Sequence, residues 1–270
     1  MKIKINVVDA FTNVRFKGNP AAVVVTGKWL SDEKMQEIAA ENNLSETAFL
    51  VEDDNGVFAI RWFSPLTEID FCGHATLASA FVIFNENYQL PHITFFADSV
   101  GMMKVVKKDD GFIQMDFPNR IPTPVDDVPE ALLAGLSIKP ESILKNGQAY
   151  FAVYSDEDDV LSVIQDSDKL KTLAPYDVVV TAPGTQFDFV SRYFWPANGG
   201  DEDPVTGSAH CALTPLWTGR LGKNEMTSHQ ISKRKGELFI GIPKETHAGE
   251  NRVAASPTRR IAHLARRCIT

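Results

Sequence analysis

Residues 68–78 read EIDFCGHATLA, and residues 201–212 read DEDPVTGSAHCA. In both stretches acidic residues lead to a glycine, and the small residues after that glycine open an apolar helix. Such a repeat within one chain predicts two similar lobes, each of which presents the N-terminus of a helix.

The residues around the turns predict short strands and one long helix in each half of the chain. Leu77, Ala80, Phe81 and Phe84 have helical spacing, and apolar residues recur within short segments on either side. Four prolines in residues 118–129 indicate a boundary, because proline does not fit a central strand. We therefore expect an N-terminal lobe at 1–118, a C-terminal lobe at 119–245 and an atypical tail at 246–270.

The tail departs from the pattern of the two lobes. It lacks clear strand alternation and carries the arginine pairs 259–260 and 266–267. Ile261, Leu264 and Ala265 have a spacing that suits a short helix. The sequence leaves open whether the tail is an altered end of the fold or disordered.

Composition excludes several classes of function. The 270 residues have a formal net charge of −8, which does not suit a nucleic-acid-binding protein. The apolar runs are about as long as strands, well short of the roughly 20 residues that a membrane helix needs. The N-terminus alternates polar and apolar residues rather than forming the apolar stretch of a signal peptide. With three cysteines as well, the sequence predicts a cytoplasmic protein.

The glycine turns suggest an anion site, because a helix N-terminus carries unpaired N–H groups and partial positive charge. A substrate carboxylate could bind there, and four side chains would add donors: His74, Thr76, Thr206 and Ser208. On residue types alone, capping of a helix is a slightly better explanation of Asp203, Thr206 and Ser208. Glu46 is a candidate base because it stands where a polar turn enters an apolar strand, although an exposed glutamate at a strand start is the simpler interpretation.

Other chemistries have less support. The pairs Cys72/His74 and His210/Cys211 lack the spacing of a zinc knuckle, so we expect no metal. A nucleophilic Cys72 is conceivable, because a helix N-terminus lowers the pKa of a thiol. The sequence contains no phosphate-binding loop of the Walker type, no glycine-rich dinucleotide motif after the first strand and no nucleophile elbow.

Taken together, the motifs resemble the phenazine biosynthesis-like (PhzF-like) isomerase family over roughly residues 1–243. The matching segments are 8–12, 16, 18–23, 43–49, 61–65, 72–78, 192–194 and 202–211, with Ser232, Arg234 and Gly236 as a final motif. The resemblance implies the α+β fold of diaminopimelate epimerase, in which two similar lobes each wrap a curved mixed β-sheet around a central helix. It also implies an active site between the lobes, a homodimer and no cofactor.

The resemblance also implies roles for individual residues. Glu46 matches the family's proton-shuttling glutamate, and His74 and Asp203 match residues that position the substrate and assist proton transfer. Ser208 matches a substrate-binding and proton-relay position. We expect further substrate contacts at Gly73, Ala75, Thr76, Thr206 and Gly207. Diaminopimelate epimerase uses two cysteine bases, but here Asp203-Pro204 occupies the second such region, which argues against a two-thiol mechanism.

The sequence therefore predicts a cofactor-independent isomerase or epimerase of a small carboxylate or amino-acid-like metabolite, with Glu46 as the acid/base. Two alternatives remain at this point. One is a metabolite-binding protein without catalysis on the same fold, and the other is a protein-interaction module with a vestigial site. The presence of Glu46, His74, Asp203 and Ser208 together favours catalysis, because a binding module would not need this set.

Overall fold

The computed structural model describes residues 2–242, 252–257 and 264–269. Contacts along the chain divide it into a first unit, Met1–Asp116 with Ser256–Thr270, and a second unit, Phe117–Ala255. The division at Asp116–Phe117 lies close to the sequence-based boundary after residue 118. Among the described residues, no helix is long and apolar enough to cross a lipid bilayer.

In the part of the first unit that the structure describes, most elements are strands and two are helices. Its elements are β1 (Ile3–Ala10), β2 (Asn19–Thr26), α1 (Asp32–Asn42), β3 (Glu46–Glu52), β4 (Val57–Phe63), β5 (Glu68–Ile69), α2 (Gly73–Glu86), β6 (His92–Ala97), β7 (Gly101–Lys107) and β8 (Ile113–Pro118). Strand β2 pairs antiparallel with β1 and parallel with β3. Strand β4 pairs antiparallel with β3 and β5 and parallel with β6, which continues antiparallel through β7 to β8.

The second unit and the C-terminal strands contain the remaining elements. These are β9 (Thr123–Pro124), α3 (Glu130–Ala134), β10 (Ser142–Lys145), β11 (Ala149–Val153), α4 (Glu157–Ser162), α5 (Ser167–Lys171), β12 (Asp177–Pro183), β13 (Phe189–Phe194), a 3-10 turn (Pro196–Asn198), β14 (Glu202–Asp203), α6 (His210–Leu221), β15 (Glu225–Gln230), β16 (Gly236–Gly241), β17 (Arg252–Pro257) and β18 (Leu264–Ile269).

The strand pairings of the second unit repeat those of the first. Strand β11 pairs antiparallel with β10 and parallel with β12. Strand β13 then pairs antiparallel with β12 and β14 and parallel with β15, which continues antiparallel to β16. The prediction of an α+β fold with two similar lobes, each a curved mixed sheet around a helix, is confirmed.

The helix that follows each glycine turn is the most deeply buried helix of its unit. Helix α2 is buried continuously from His74 to Phe84, and it packs against β1, β2 and β3. In α6 the buried residues run from His210 to Thr214 and include Trp217. A helix that is apolar on all sides must be enclosed, and each fully buried aromatic or aliphatic side chain stabilises the fold by about 1.5–3 kcal/mol.

Three local predictions require correction. The helix expected near Gly207 begins at His210, because a turn with bonds from His210 N–H to Gly207 O and from Cys211 N–H to Ser208 O precedes it. Strand β10 was not predicted, since its four residues carry little periodicity. The short tail helix is wrong for Leu264 and Ala265, which lie in a strand opposite Val8 and Val7 of β1.

The tail is a strand because it pairs with the edge of a sheet. The outer backbone N–H and C=O groups of β1 offer a template for pairing, and β18 pairs with them in antiparallel register. Tertiary pairing thus outweighs the weak local pattern of the tail. Ile261, the third residue of the proposed helix, lies outside the described residues, as do residues 243–251.

Candidate active site

The position of Glu46 follows from the way α1 ends. Asn43 adopts a left-handed backbone conformation (φ 49°), and its N–H donates to Ala39 O at 3.1 Å. Asparagine tolerates this conformation, which ends the helix and returns the chain to the sheet. Glu46 is the first residue of β3 and lies opposite Ala21 of β2. Its side chain is 17% exposed, so the carboxylate at the start of the strand is largely buried.

Glu46 meets the start of α2 through His74. The Nε2 atom of His74 lies 3.0 Å from Glu46 Oε2, and the Nδ1 atom of the same ring lies 3.4 Å from Cys72 Sγ. We call these three residues the Glu46 cluster. Both Glu46 Oε2 and His74 Nε2 are buried and lack an aligned hydrogen-bond partner, despite the short distance between them. The two groups therefore interact chiefly through their charges.

Electrostatics within the Glu46 cluster favour a cationic histidine. Burial lowers the pKa of His74, but the neighbouring Cys72 and Glu46 raise it by more, so it lies well above the ordinary value. Burial raises the pKa of the Cys72 thiol, and His74 offsets this only in part. At neutral pH the cluster thus holds an imidazolium and an un-ionised thiol, which contradicts the expectation of a thiol pKa lowered by the helix.

A metal ion does not fit the Glu46 cluster as it stands. One ligand atom from each residue lies within 4.8 Å of the others. However, the carboxylate faces Nε2 of His74 and the sulfur faces Nδ1, on opposite sides of the ring. A single ion binds only one nitrogen of a histidine ring. An ion on Nε2 would lie beside Glu46 but away from Cys72, and an ion on Nδ1 would lie beside Cys72 but away from Glu46.

The residues on either side of His74 include both backbone and side-chain candidates for substrate binding. Gly73 is partly exposed, and its N–H belongs to the first turn of α2, where donors lack intrahelical partners. Ala75 is buried in the same turn. Thr76 is fully buried, donates its hydroxyl to Cys72 O at 2.7 Å and accepts from Trp62 Nε1 at 3.1 Å. Its N–H also bonds to Cys72 O, which argues against the predicted substrate contact by Thr76.

In the second unit, Asp203 and Thr206 form a closed network with Gln230. The Thr206 hydroxyl donates to the Asp203 carboxylate, and Thr206 N–H donates to Gln230 Oε1 at 2.8 Å. Gln230 Nε2 in turn donates to Asp203 O at 2.8 Å. The network fixes the turn before α6. The Thr206 side chain therefore has a structural role in this turn. None of these residues caps α6, whose N-cap is Ala209.

Ser208 is better placed for a ligand than Thr206. Gly207 and Ala209 are buried, whereas Ser208 between them is partly exposed. Its Oγ accepts a hydrogen bond from Gln148 Nε2 at 2.9 Å, so its own proton can be donated elsewhere. The turn at 207–209 therefore presents a hydroxyl and backbone N–H groups together.

His210 and Cys211 follow the same turn but serve the fold. Both ring nitrogens of His210 are occupied, Nδ1 by Thr206 O at 3.0 Å and Nε2 by Ser228 Oγ at 2.9 Å. Burial lowers the pKa of His210 to about 4, so the ring is neutral at physiological pH. Burial also raises the pKa of Cys211 to about 11. Neither residue is available as a metal ligand or a nucleophile.

Sequence reasoning missed three residues that are connected to Ser208. Gln148 Nε2 also donates to Tyr193 Oη at 2.9 Å, and Tyr193 donates to Asp177 Oδ2 at 2.6 Å. We call Ser208, Gln148, Tyr193 and Asp177 the Ser208 chain. The internal repeat could have identified its last member, because Asp177 opens β12 as Glu46 opens β3. Gln148 lies in a loop and carries no sequence signal of its own.

Comparison with known proteins gives a consistent result. The model of a family described as phenazine biosynthesis-like protein matches residues 8–256. An uncharacterized isomerase of Pseudomonas aeruginosa is 45% identical over 245 residues, covering 91% of this chain and 93% of that protein. The crystal structure of a PhzF-family phenazine biosynthesis protein from Enterococcus faecalis is 41% identical, with a TM-score of 0.91 and full coverage of both chains.

More distant structures share only the fold. A hydroxyproline epimerase from Agrobacterium vitis superposes with a TM-score of 0.57 at 11% identity, covering 99% of this chain and 93% of that one. Such low identity supports a common architecture and does not transfer a substrate.

Proposed function

The chain belongs to the phenazine biosynthesis-like protein family, and from that premise we propose that it is a cofactor-independent isomerase that moves a proton on a small carboxylate metabolite. Glu46 is the proposed acid/base. The observation that carries the proposal is the approach of Glu46 Oε2 to His74 Nε2, 3.0 Å apart at the start of a buried helix. The names of the relatives as isomerases support the reaction class.

The first step of the proposed reaction is removal of a proton from carbon. A carboxylate of the substrate binds to N–H groups at the start of α2, where the helix dipole favours an anion. Glu46 accepts the proton and becomes a carboxylic acid, while the electron pair left on carbon delocalises toward the bound carboxylate. The His74 imidazolium and the helix N–H groups stabilise the negative charge that develops there.

The second step returns the proton from Glu46 to carbon. A single acid/base that returns the proton to the same carbon from the same side restores the starting configuration, so no net reaction results. A net reaction with Glu46 alone therefore requires return to a different carbon. This in turn requires a substrate with a C=C bond next to the carbon that loses the proton, so that the electron pair is shared between two carbons and the double bond shifts as the proton returns. We accordingly propose isomerisation, with the proton moved between carbons of one substrate molecule, rather than epimerisation.

Residues of the second unit are proposed to bind and orient the substrate. Ser208 supports this role because its hydroxyl is partly exposed and its oxygen already accepts from Gln148. Gly207 and Asp203 are proposed to contribute backbone N–H groups and a carboxylate, respectively. Ser208→Ala, like Glu46→Gln, should therefore impair turnover of the compound that the wild type exchanges.

The test is proton NMR of a panel of small carboxylates in deuterated water. We expect the wild type to exchange a C–H of at least one compound and to place deuterium at a new carbon. Glu46→Gln should slow this by about 10² to 10⁴, the usual contribution of a general base. The matched control is Glu52→Gln, at the exposed far end of the same strand, which should exchange at the wild-type rate.

Ligand-observed NMR on Glu46→Gln should show that the variant still binds the same compound. Exchange at a near-normal rate in this variant would remove Glu46 from the mechanism. Binding of a panel member to the wild type without any exchange would favour the metabolite-binding protein instead.

A further inference from the structure

Asp177 occupies in the second unit the position that Glu46 occupies in the first. Each residue is the first of a strand that pairs in parallel with the preceding strand. Glu46 of β3 lies opposite Ala21 of β2, and Asp177 of β12 lies opposite Ala149 of β11. The next residue of each strand lies opposite the last phenylalanine of the following strand. The two carboxylates are therefore equivalent by register, and their surroundings can be compared directly.

Both carboxylates are connected to the residue after the glycine of their turn, but by different routes. In the first unit Glu46 contacts His74, which follows Gly73, without an intermediate. In the second unit the corresponding residue is Ser208, which follows Gly207. Asp177 is shorter by one methylene, and the connection to Ser208 runs through Tyr193 and Gln148.

The Ser208 chain has a fixed direction. Asp177 accepts on both oxygens, from Tyr193 at 2.6 Å and from Asn198 Nδ2 at 2.7 Å. Since the single proton of Tyr193 is used on Asp177, its oxygen can only accept from Gln148. That requirement turns the amide nitrogen of Gln148 toward both Tyr193 and Ser208. Ser208 then accepts through its oxygen and keeps its proton for a ligand.

We propose that the Ser208 chain fixes the Ser208 hydroxyl as a hydrogen-bond donor to the substrate carboxylate, with Asp177 as the positioning residue that sets the direction. The inference rests on the proposed function, because it assigns Ser208 to the substrate site. Asp177 does not touch the substrate and is not a catalytic residue. It acts through Tyr193 and Gln148.

The surroundings of the Ser208 chain support this direction. Tyr193 is 5% exposed, and burial together with the adjacent Asp177 raises the pKa of its hydroxyl, so it remains a proton donor. Burial raises the pKa of Asp177, while the hydrogen bonds from Tyr193 and Asn198 lower it in part. Backbone bonds also hold Gln148, whose N–H donates to Asn146 Oδ1 at 2.8 Å. The chain is thus rigid from Asp177 to the surface at Ser208.

The direct test uses the side-chain amide signals of Gln148 in glutamine labelled with ¹⁵N, assigned by their loss in Gln148→Met. Both amide protons should be shifted downfield and exchange slowly in the wild type, because each has an acceptor. Tyr193→Phe should move one proton upfield and speed its exchange at least about tenfold, and Ser208→Ala should do the same to the other. If Asp177 had only a structural role, its substitution would not move the Gln148 amide signals.

A matched control and a conservative pair make the test specific. Tyr154→Phe removes another buried hydroxyl of the second unit, which donates to Ile138 O at 2.8 Å, and it should leave both amide signals in place. Asp177→Leu should shift the signals, whereas Asp177→Asn should largely restore them by keeping an acceptor for Tyr193. Unchanged Gln148 signals in both Tyr193→Phe and Asp177→Leu would overturn the proposed direction.

The functional part is tested on the panel compound that the wild type exchanges. Ser208→Ala should lower kcat/KM by about 10², as loss of a positioned donor does, and Gln148→Met should lower it about tenfold. In the double variant the loss should equal that of Ser208→Ala alone, because Gln148 acts through Ser208. Additive losses would overturn the proposal. Failure of the wild type to exchange any compound would count against the proposed function, while the amide signals would still decide the direction.

Discussion

Glu46→Gln should change the titration of His74 and, through it, the pH dependence of stability. Two unit charges 3.0 Å apart attract by about 5 kcal/mol at an effective dielectric constant of about 20. The variant keeps the burial of His74 and loses the charge that opposes it. We therefore expect the pKa of His74, which lies well above the ordinary histidine value in the wild type, to be lower in the variant.

The sign of the stability effect follows from linkage. Because the folded-state pKa of His74 is raised, its contribution is fully present below the unfolded value of about 6.5 and is lost as the pH rises through the folded-state pKa. At pH 6 the variant should be less stable by about 2–4 kcal/mol. This is less than the full attraction, because the buried imidazole in the variant can lose its proton. The difference should shrink toward pH 9.

Two measurements check this reasoning. Histidine labelled with ¹³C reports the pKa of His74, whose signal is assigned by its absence in His74→Asn, and urea unfolding at pH 6 and pH 9 reports stability. Glu52→Gln should change neither. Cys72→Ala should lower the pKa of His74 by less than Glu46→Gln does, because an un-ionised thiol carries no charge and acts only through its contact with Nδ1. A larger fall in the pKa of His74 in Cys72→Ala than in Glu46→Gln would refute the assignment of the charge to Glu46.

Two further predictions concern the scaffold around the sites. Arg192→Met should destabilise the fold by about 3–5 kcal/mol. The Arg192 guanidinium makes a bidentate pair with Glu202 (2.8 and 3.1 Å), and the two side chains are only 16% and 22% exposed. Arg61 is the equivalent arginine of the first unit, and Arg61→Met should cost about 1 kcal/mol, because the partners of Arg61 are more exposed. Urea unfolding compares the two, and an equal loss would contradict this ranking. Asn43→Gly should be close to neutral and Asn43→Ala less stable by about 1–2 kcal/mol, because only the latter is strained at a positive φ. Thermal unfolding with equal midpoints for the two Asn43 variants would show that the left-handed conformation is not what ends α1.

The architecture could be predicted from the sequence because the two halves of the chain repeat the same pattern. The glycine turns at Gly73 and Gly207 marked equivalent helices, and the two units have the same order of parallel and antiparallel pairs. The residue spacing gave no distances. It therefore could not show that Cys72 and Glu46 face opposite nitrogens of His74, or that the hydroxyl of Thr76 is used within its own helix.

Side-chain networks that run through loops were beyond the sequence for a different reason. Gln148 matters only because Tyr193 and Ser208 lie on either side of its amide, 45 and 60 residues away along the chain. No periodicity or motif records such a meeting. The same holds for β18, which is a strand because β1 offers an unpaired edge, and its own residues show no strand alternation.

The two units show how one scaffold can place different chemistry at equivalent positions. A strand that begins with a carboxylate and a helix that begins after a glycine are common to both. Where the carboxylate contacts a histidine directly, at 3.0 Å, the two side chains form an ion pair. In the second unit, Tyr193 and Gln148 lie between the carboxylate of Asp177 and Ser208. Asp177 therefore does not contact Ser208, and it affects Ser208 only by setting the donor and acceptor roles along the hydrogen bonds. If Glu46 is the acid/base, as proposed, these surroundings suit the first unit to proton transfer and the second unit to hydrogen bonding, because the Ser208 hydroxyl is neutral and is held as a donor.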